Sequence, residues 1–284
     1  MKKKLATIAI AYDFDGTLAP GNMQEHSFIP KLGIDAKIFW EEAKKLARLN
    51  DMDEILAYMQ LMLQRATNEG LPVRKKDFED YGKEISFFDG VEGYFDRINK
   101  YALEKDVKLE HYIISSGLRE FIHGTKIAHQ FKYIFASGFR YDSNEVATWP
   151  ALAINYTNKT QFLFRINKGI QNSYDNSEIN KYTPAEKRPI PFSQMIYIGD
   201  GETDVPAMKM IKYQGGTAIA VYNPKIRAKK DKPAPKQNCE DLITQKRADY
   251  IAPTDYSDGS ILDGLIKSII DKIHAEIVLK NYTK

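Results

Sequence analysis

The stretch Leu5-Ala6-Thr7-Ile8-Ala9-Ile10-Ala11-Tyr12-Asp13-Phe14-Asp15-Gly16-Thr17-Leu18 decides how the rest of this 284-residue chain is read. A short apolar run rich in Ile and Ala passes directly into two acids, the pattern of a buried first β-strand ending in a turn. Gly16 supplies the backbone freedom that the turn needs. The preceding Lys2-Lys3-Lys4 gives the segment some likeness to a signal peptide, but Asp13 and Asp15 interrupt the apolar region and the strand reading fits better. In an open α/β sheet, ligands bind beyond the carboxyl ends of the strands, at the point where the strand order reverses. Two neighbouring acids repel unless a cation or a proton lies between them. An Asp- and Gly-rich turn also occurs with no function at all, so the assignment needs support from elsewhere in the chain.

A second acidic turn supplies it. Ile196-Tyr197-Ile198 is another short apolar strand, and it runs into Gly199-Asp200-Gly201-Glu202-Thr203-Asp204. Carboxylates at the ends of two strands form a plausible cage for a hard divalent cation such as Mg2+, which keeps part of its water shell. Such an ion neutralises a phosphate oxygen and holds it near a carboxylate nucleophile. Ser115 follows the strand Tyr112-Ile113-Ile114 in the same topological position, where a hydroxyl and free N–H groups can bind a phosphate oxygen. Ser115-Ser116-Gly117 also reads as a simple helix cap. Lys168, in Arg165-Ile166-Asn167-Lys168-Gly169, is the candidate cation for the phosphate, and Lys159 competes with it.

Around these turns the pattern is α/β. Residues 20–30 read as a loop, and three helical segments follow with no strand between them. The clearest has Met52, Ile55, Leu56, Met59, Met62, Leu63 and Ala66 at helical spacing after the N-cap candidate Asp51, with Gly70 ending it. Its neighbours cover about 35–49 and 75–88. From Asp89-Gly90 onward, helices near 91–104 and after Gly117 alternate with apolar strands near 111–115, 133–136, 195–198, 217–221 and 249–252. That alternation predicts a Rossmann-like, mostly parallel sheet flanked by helices. Residues 139–165 read as antiparallel strands beside it, residues 171–193 and 225–238 as polar excursions, and residues 261–279 as an amphipathic helix on the sheet.

Composition excludes several classes. With 43% hydrophobic and 28% charged residues in near balance, the chain reads as globular, neither disordered nor fibrous. A net charge of +3 is too small to imply a nucleic-acid or membrane partner. Lys225, Arg227, Lys229, Lys230, Lys232 and Lys236 lack the interleaved aromatic residues of a single-strand binder and read as a solvated loop. The single Cys239 cannot form an intrachain disulfide, and no run approaches the length of a membrane span, so a cytoplasmic location is expected.

The order of signals, strand then Asp13-x-Asp15-Gly16-Thr17, strand then Ser115, a lysine, and strand then Gly199-Asp200-Gly201-x-x-Asp204, resembles the haloacid dehalogenase superfamily, in particular the branch of the phosphoserine phosphatases. The resemblance implies that Asp13 is the nucleophile, forming an aspartyl-phosphate. Asp15 becomes the general acid and then the base, and Ser115 and Lys168 bind the phosphoryl group. Mg2+ would be held by the Asp13 carboxylate, the Asp15 backbone carbonyl and Asp200, with Asp204 direct or through water. Residues 19–89 correspond to a small helical cap domain inserted into a core of residues 1–18 and 90–284. The expected activity is that of a phosphatase on a small phosphorylated metabolite. A phosphomutase on the same fold or a non-catalytic binding protein are the alternatives, and a dehalogenase would need neither Asp15 nor a metal cage. Two departures bear on the substrate and on the lysine: Gly16 stands where phosphoserine enzymes often carry Ser, and Lys168 is far from the last acidic turn.

Overall fold

A computed structural model of the chain describes residues 5–201, 203–228, 233–280 and 282. Lys2, Lys3, Lys4, Glu202, Lys229, Lys230 and Lys232, singled out above, lie outside the described residues. In chain order the elements are β1 (Ala6–Tyr12), α1 (Phe28–Lys31), α2 (Ala36–Asn50), α3 (Glu54–Asn68), α4 (Lys75–Gly82), α5 (Val91–Leu103), β2 (Val107–Leu118), α6 (Arg119–Gly124), β3 (Phe131–Tyr141), β4 (Ala147–Leu152), α7 (Lys159–Lys168), α8 (Asn176–Asn180), β5 (Met195–Gly199), α9 (Val205–Tyr213), β6 (Thr217–Tyr222), α10 (Pro235–Thr244), β7 (Tyr250–Pro253) and α11 (Ile261–Lys280).

The strands form one sheet in the order β4-β3-β2-β1-β5-β6-β7, parallel throughout except for the β3–β4 hairpin at one edge. The period of two along β1 explains its central place. Ile8, Ile10 and Tyr12 enter one core layer with Val91, Phe95 and Ile98 of α5 and Ile266, Ile269 and Ile270 of α11. Ala9 and Ala11 face the other layer, where Phe162, Leu163 and Ile166 of α7 and Ala207, Met208 and Ile211 of α9 pack. The result is helices on both faces of a parallel sheet.

The helical insertion between β1 and α5 shares the first core layer through Phe28, Phe39, Met59, Met62 and Phe78. Its last helix is joined tightly to the sheet side. Gly82 and Gly124 let α4 and α6 approach so closely that a Cβ on either would run into the other helix's backbone, and Phe78 stacks on Phe139 at 5.3 Å.

Several local expectations are corrected. Residues 20–30 hold a 3-10 turn (Met23–Glu25) and the start of α1. The cap of α3 is Asp53, whose Oδ1 accepts from Ile55 N and Leu56 N, while Asp51 sits at φ 49 and ends α2. Strand β2 is longer than the apolar run 111–115 suggested, since it continues through Ser115 and Ser116 to Leu118. The antiparallel reading of 139–165 holds only for the hairpin. Phe162, Leu163 and Ile166 recur at helical spacing and make α7 instead. Residues 235–238 open α10 with Pro235 at its first position, where proline is at home.

Candidate active site at the carboxyl ends of β1, β2 and β5

The chain enters β1 first and leaves β2 and β5 on its two sides, so the crevice beyond Tyr12 lies at the reversal of strand order. Asp13 N donates to Ile198 O at 2.9 Å, which ties the first acidic turn to the neighbouring strand. Leu18 N and Ala19 N both donate to Phe14 O, and Gly16 N donates to Ala19 O, closing a tight loop that returns the chain over Asp13. Gly16 is required there for two reasons. Its φ is +72°, and a Cβ on it would collide with the Asp200 carboxylate. The second turn uses glycine in the same manner, because a Cβ on Gly199 would collide with Asp204 Oδ2.

Asp13 is buried. Its Oδ1 accepts from Phe14 N at 2.7 Å and its Oδ2 lies 3.0 Å from Lys159 Nζ. Lys159, fully buried at the start of α7, also donates to Asp204 Oδ1 at 2.7 Å and reaches Thr203 Oγ1 at 3.3 Å. The expected lysine is elsewhere: Lys168 Nζ donates to Ile179 O and Lys181 O, both at 2.6 Å, and pins the 171–193 excursion. The two residues occupy opposite ends of α7, about 13 Å apart at 1.5 Å per residue, so only one of them can reach the crevice. Burial alone would lower the Lys159 pKa, but the Asp13 and Asp204 carboxylates outweigh it and hold the ammonium charged far above its usual range. Burial, then the Asp204 charge, pushes the Asp13 carboxyl up to about 7, with Lys159 opposing.

Asp13, Asp200 and Asp204 each offer an oxygen within 4.8 Å of the others. An all-oxygen, anionic donor set suits a hard cation such as Mg2+. Asp204 also meets a test of fit. Tyr197 OH and Lys159 occupy its Oδ1, while its Oδ2 is buried with no hydrogen-bond partner and is thus an atom that a cation would satisfy.

Asp15 and Ser115 complete the crevice floor. Asp15 Oδ1 accepts from Met23 N at 2.9 Å, and burial followed by the Asp13 charge holds its carboxyl well above the ordinary range. Ser115, buried, accepts from Gly117 N at 3.0 Å, and a Cβ on Gly117 would collide with the Met23 side chain and lie 3.1 Å from Asp15 Oδ2. The helix after it is only α6, and its N-cap is Leu118. The structure therefore brings Asp13, Asp15, Ser115, Asp200 and Asp204 together with Lys159, and leaves Lys168 out. Sequence reasoning missed Tyr197, Thr203 and Tyr58, whose OH donates to Ser116 O at 2.7 Å from the helical insertion. Tyr197 stood in the quoted strand, but its inward direction follows only from the sheet. Above the floor is a cavity of about 540 Å3, lined on its far side by Gln24, Trp40, Ile55, Tyr58 and Tyr156.

The family model of haloacid dehalogenase-like hydrolases matches residues 10–209. An uncharacterized protein of Borreliella burgdorferi is 30% identical over 291 aligned residues, which cover 92% of this chain and 96% of that one. Among solved structures, a HAD family hydrolase from Salmonella enterica serovar Typhi superimposes with a TM-score of 0.55 at 17% identity, covering 93% of this chain and 72% of that one. A phospho-aspartyl intermediate analogue of phosphoserine phosphatase superimposes at 0.53 and 14% identity, covering 93% and 99%. At these identities the two structures speak for the fold. No helix among the described residues is long and apolar enough to cross a membrane.

Proposed function

The chain belongs to the haloacid dehalogenase-like hydrolase family, and from that premise we propose that it is a Mg2+-dependent phosphatase that uses Asp13 as its nucleophile on a small phosphorylated metabolite. The observation that carries the reading is the pairing of two acids in one crevice, the first of them in contact with a buried lysine. Asp13 is held against the Lys159 ammonium at 3.0 Å, while Asp15, two residues on, is held toward its protonated form by burial and by the Asp13 charge. One carboxylate can attack and the other has a proton to give. A dehalogenase has no use for the second acid.

In the proposed reaction an Asp13 carboxylate oxygen forms a bond to phosphorus and the ester oxygen leaves, taking the proton of Asp15. The resulting Asp15 carboxylate then removes a proton from water, which attacks phosphorus and frees Asp13. Ser115 Oγ and Lys159 Nζ hold the non-bridging phosphoryl oxygens, and Lys159 also fixes the rotamer of Asp13. The Asp13 and Asp200 carboxylates and the Asp15 backbone carbonyl would hold Mg2+, with Asp204 direct or through water. The ion supplies charge neutralisation for phosphate and carboxylates that would otherwise repel.

Residues 19–89 fit a helical cap on a core of residues 1–18 and 90–284. The two connections run side by side, since Phe88 N donates to Leu18 O at 3.0 Å. Tyr58 OH on Ser116 O and Asn155 Nδ2 on Asp53 Oδ2 fasten α3 over the crevice, where a cap that closes on substrate would exclude water. Because α4 packs backbone to backbone against α6, a closing motion of the cap would fall to α2 and α3. The test is hydrolysis of a generic aryl phosphate. Turnover should require Mg2+, vanish with EDTA and be abolished in Asp13→Asn; undiminished turnover by Asp13→Asn would overturn the proposal.

A further inference from the structure

The wall of the cavity opposite Asp13 has a chemistry of its own. Trp40 and Tyr58 meet edge to face with centroids 5.7 Å apart, and Tyr156 stands near them with its OH 3.4 Å from Glu54 Oε2. The Trp40 indole N–H donates to Glu25 Oε1 at 2.6 Å, so a carboxylate pushes electron density into the ring and makes its face a better host for positive charge. Gln24 also lines the cavity, and its Oε1 is buried with no hydrogen-bond partner, leaving an acceptor for an N–H donor. Away from the Asp13 end, Lys44 is the sole cation among the described lining residues, on an exposed side chain like that of Glu54, and no arginine is present. A leaving group with a carboxylate or a second phosphate would meet Glu54 with little to balance it.

We propose that the leaving group carries an alkylammonium head, so that the substrate is the phosphate monoester of an amino alcohol, its head set among Trp40, Tyr58, Tyr156 and Glu54. This rests on the phosphatase reading of Asp13. Aromatic faces with a carboxylate are the general means of holding ammonium groups, and the Gln24 acceptor favours a primary ammonium over a trimethylated one.

The test compares esters that differ only in charge. Phosphoethanolamine is set against propyl phosphate, and phosphocholine against 3,3-dimethylbutyl phosphate. The charged member of at least one pair should have a kcat/KM about tenfold or more above its neutral isostere. The pair that shows it tells whether the head is primary or quaternary. Trp40→Leu and Glu54→Gln should each pull the ratio toward one; a ratio within one variant is insensitive to how much of that variant folds. Ratios near one for both pairs in the native enzyme, or phosphoserine or glycerol phosphate as the better substrate, would overturn the ammonium site while Asp13-dependent aryl phosphate turnover keeps the phosphatase reading intact. A readout without turnover covers the opposite case. In Trp149→Phe, where Trp40 is the only tryptophan left, ethanolamine or choline should perturb the fluorescence at lower concentration than 1-propanol or 3,3-dimethylbutanol. Equal concentrations would contradict the site even if no phosphate ester were hydrolysed.

Discussion

Replacing Lys159 by Met should disable this protein in a way that replacing Lys168 does not. Lys159 is fully buried between Asp13 Oδ2 and Asp204 Oδ1, at 3.0 and 2.7 Å. Its removal strands two buried carboxylates. Breaking a buried ion pair by deleting one partner costs about 3–5 kcal/mol, and uptake of a proton by Asp13 limits the loss at the expense of the nucleophile. For a chain of this size the melting temperature should fall by roughly 10 °C. Activity loses more, because a preorganised charge aimed at the transferring group is worth about 10²–10³ in kcat. The acid limb of the pH–rate profile should also move upward, since Lys159 lowers the Asp13 pKa and nothing replaces it. Lys168 makes two hydrogen bonds to carbonyls of the 171–193 excursion, each worth about 1 kcal/mol. Lys168→Met should cost a few degrees of Tm and leave kcat/KM on an aryl phosphate within about twofold. Thermal melts and Mg2+-saturated kinetics on both variants decide it. Equal activity losses, or a larger loss for Lys168→Met, would refute the assignment.

Further expectations follow from the same geometry. Gly16→Ala combines a strained positive φ with a collision against Asp200, so it should cost more than about 1 kcal/mol in denaturant titration and abolish Mg2+-dependent turnover. The Asp13 carboxyl, raised to about 7 against an ordinary 3.8, binds more protons folded than unfolded between those values. Metal-free stability contributed by this group therefore declines as pH rises through that window. Mg2+ should reverse the trend, giving a larger gain in Tm at pH 8 than at pH 5.5; a gain independent of pH would count against metal binding to this carboxylate. His111 is buried neutral beside Tyr12 OH and Asn99, and burial lowers its pKa to about 3. Folded protein thus binds fewer protons than unfolded between about 3 and 6.5, and stability should drop as pH falls below about 6.5. His111→Gln should flatten that slope in acid titrations followed by circular dichroism.

Much of the site was legible because it is local. Asp13, Asp15, Asp200 and Asp204 stand in turns that directly end apolar strands, and in a parallel sheet strand ends share one edge, so adjacency in sequence became adjacency in space. The lysine was not legible, because its place depends on a helix that was read as strand. Leu152 pairs with Gly138, just beyond the carboxyl end of the β2–β3 pairing, so α7 begins at the site edge of the sheet and runs away from it. Once residues 159–168 are a helix, the lysine at its first residue faces the crevice and the one at its last cannot. The far wall of the cavity was hidden for a different reason. Trp40, Tyr58 and Tyr156 come from α2, α3 and the loop before α7, and their convergence depends on how the insertion docks over the core, through Tyr58 on Ser116 and Asn155 on Asp53.

The central claim is that Asp13 itself becomes phosphorylated. Acid quench of the Mg2+-loaded enzyme during turnover of a 32P-labelled ester, followed by mapping of the labelled peptide, tests it most directly. Label is expected on the Asp13 side chain, none in Asp13→Asn, with discharge to inorganic phosphate when unlabelled ester is added as a chase. Turnover with no labelled Asp13, or label that persists in Asp13→Asn, would contradict it.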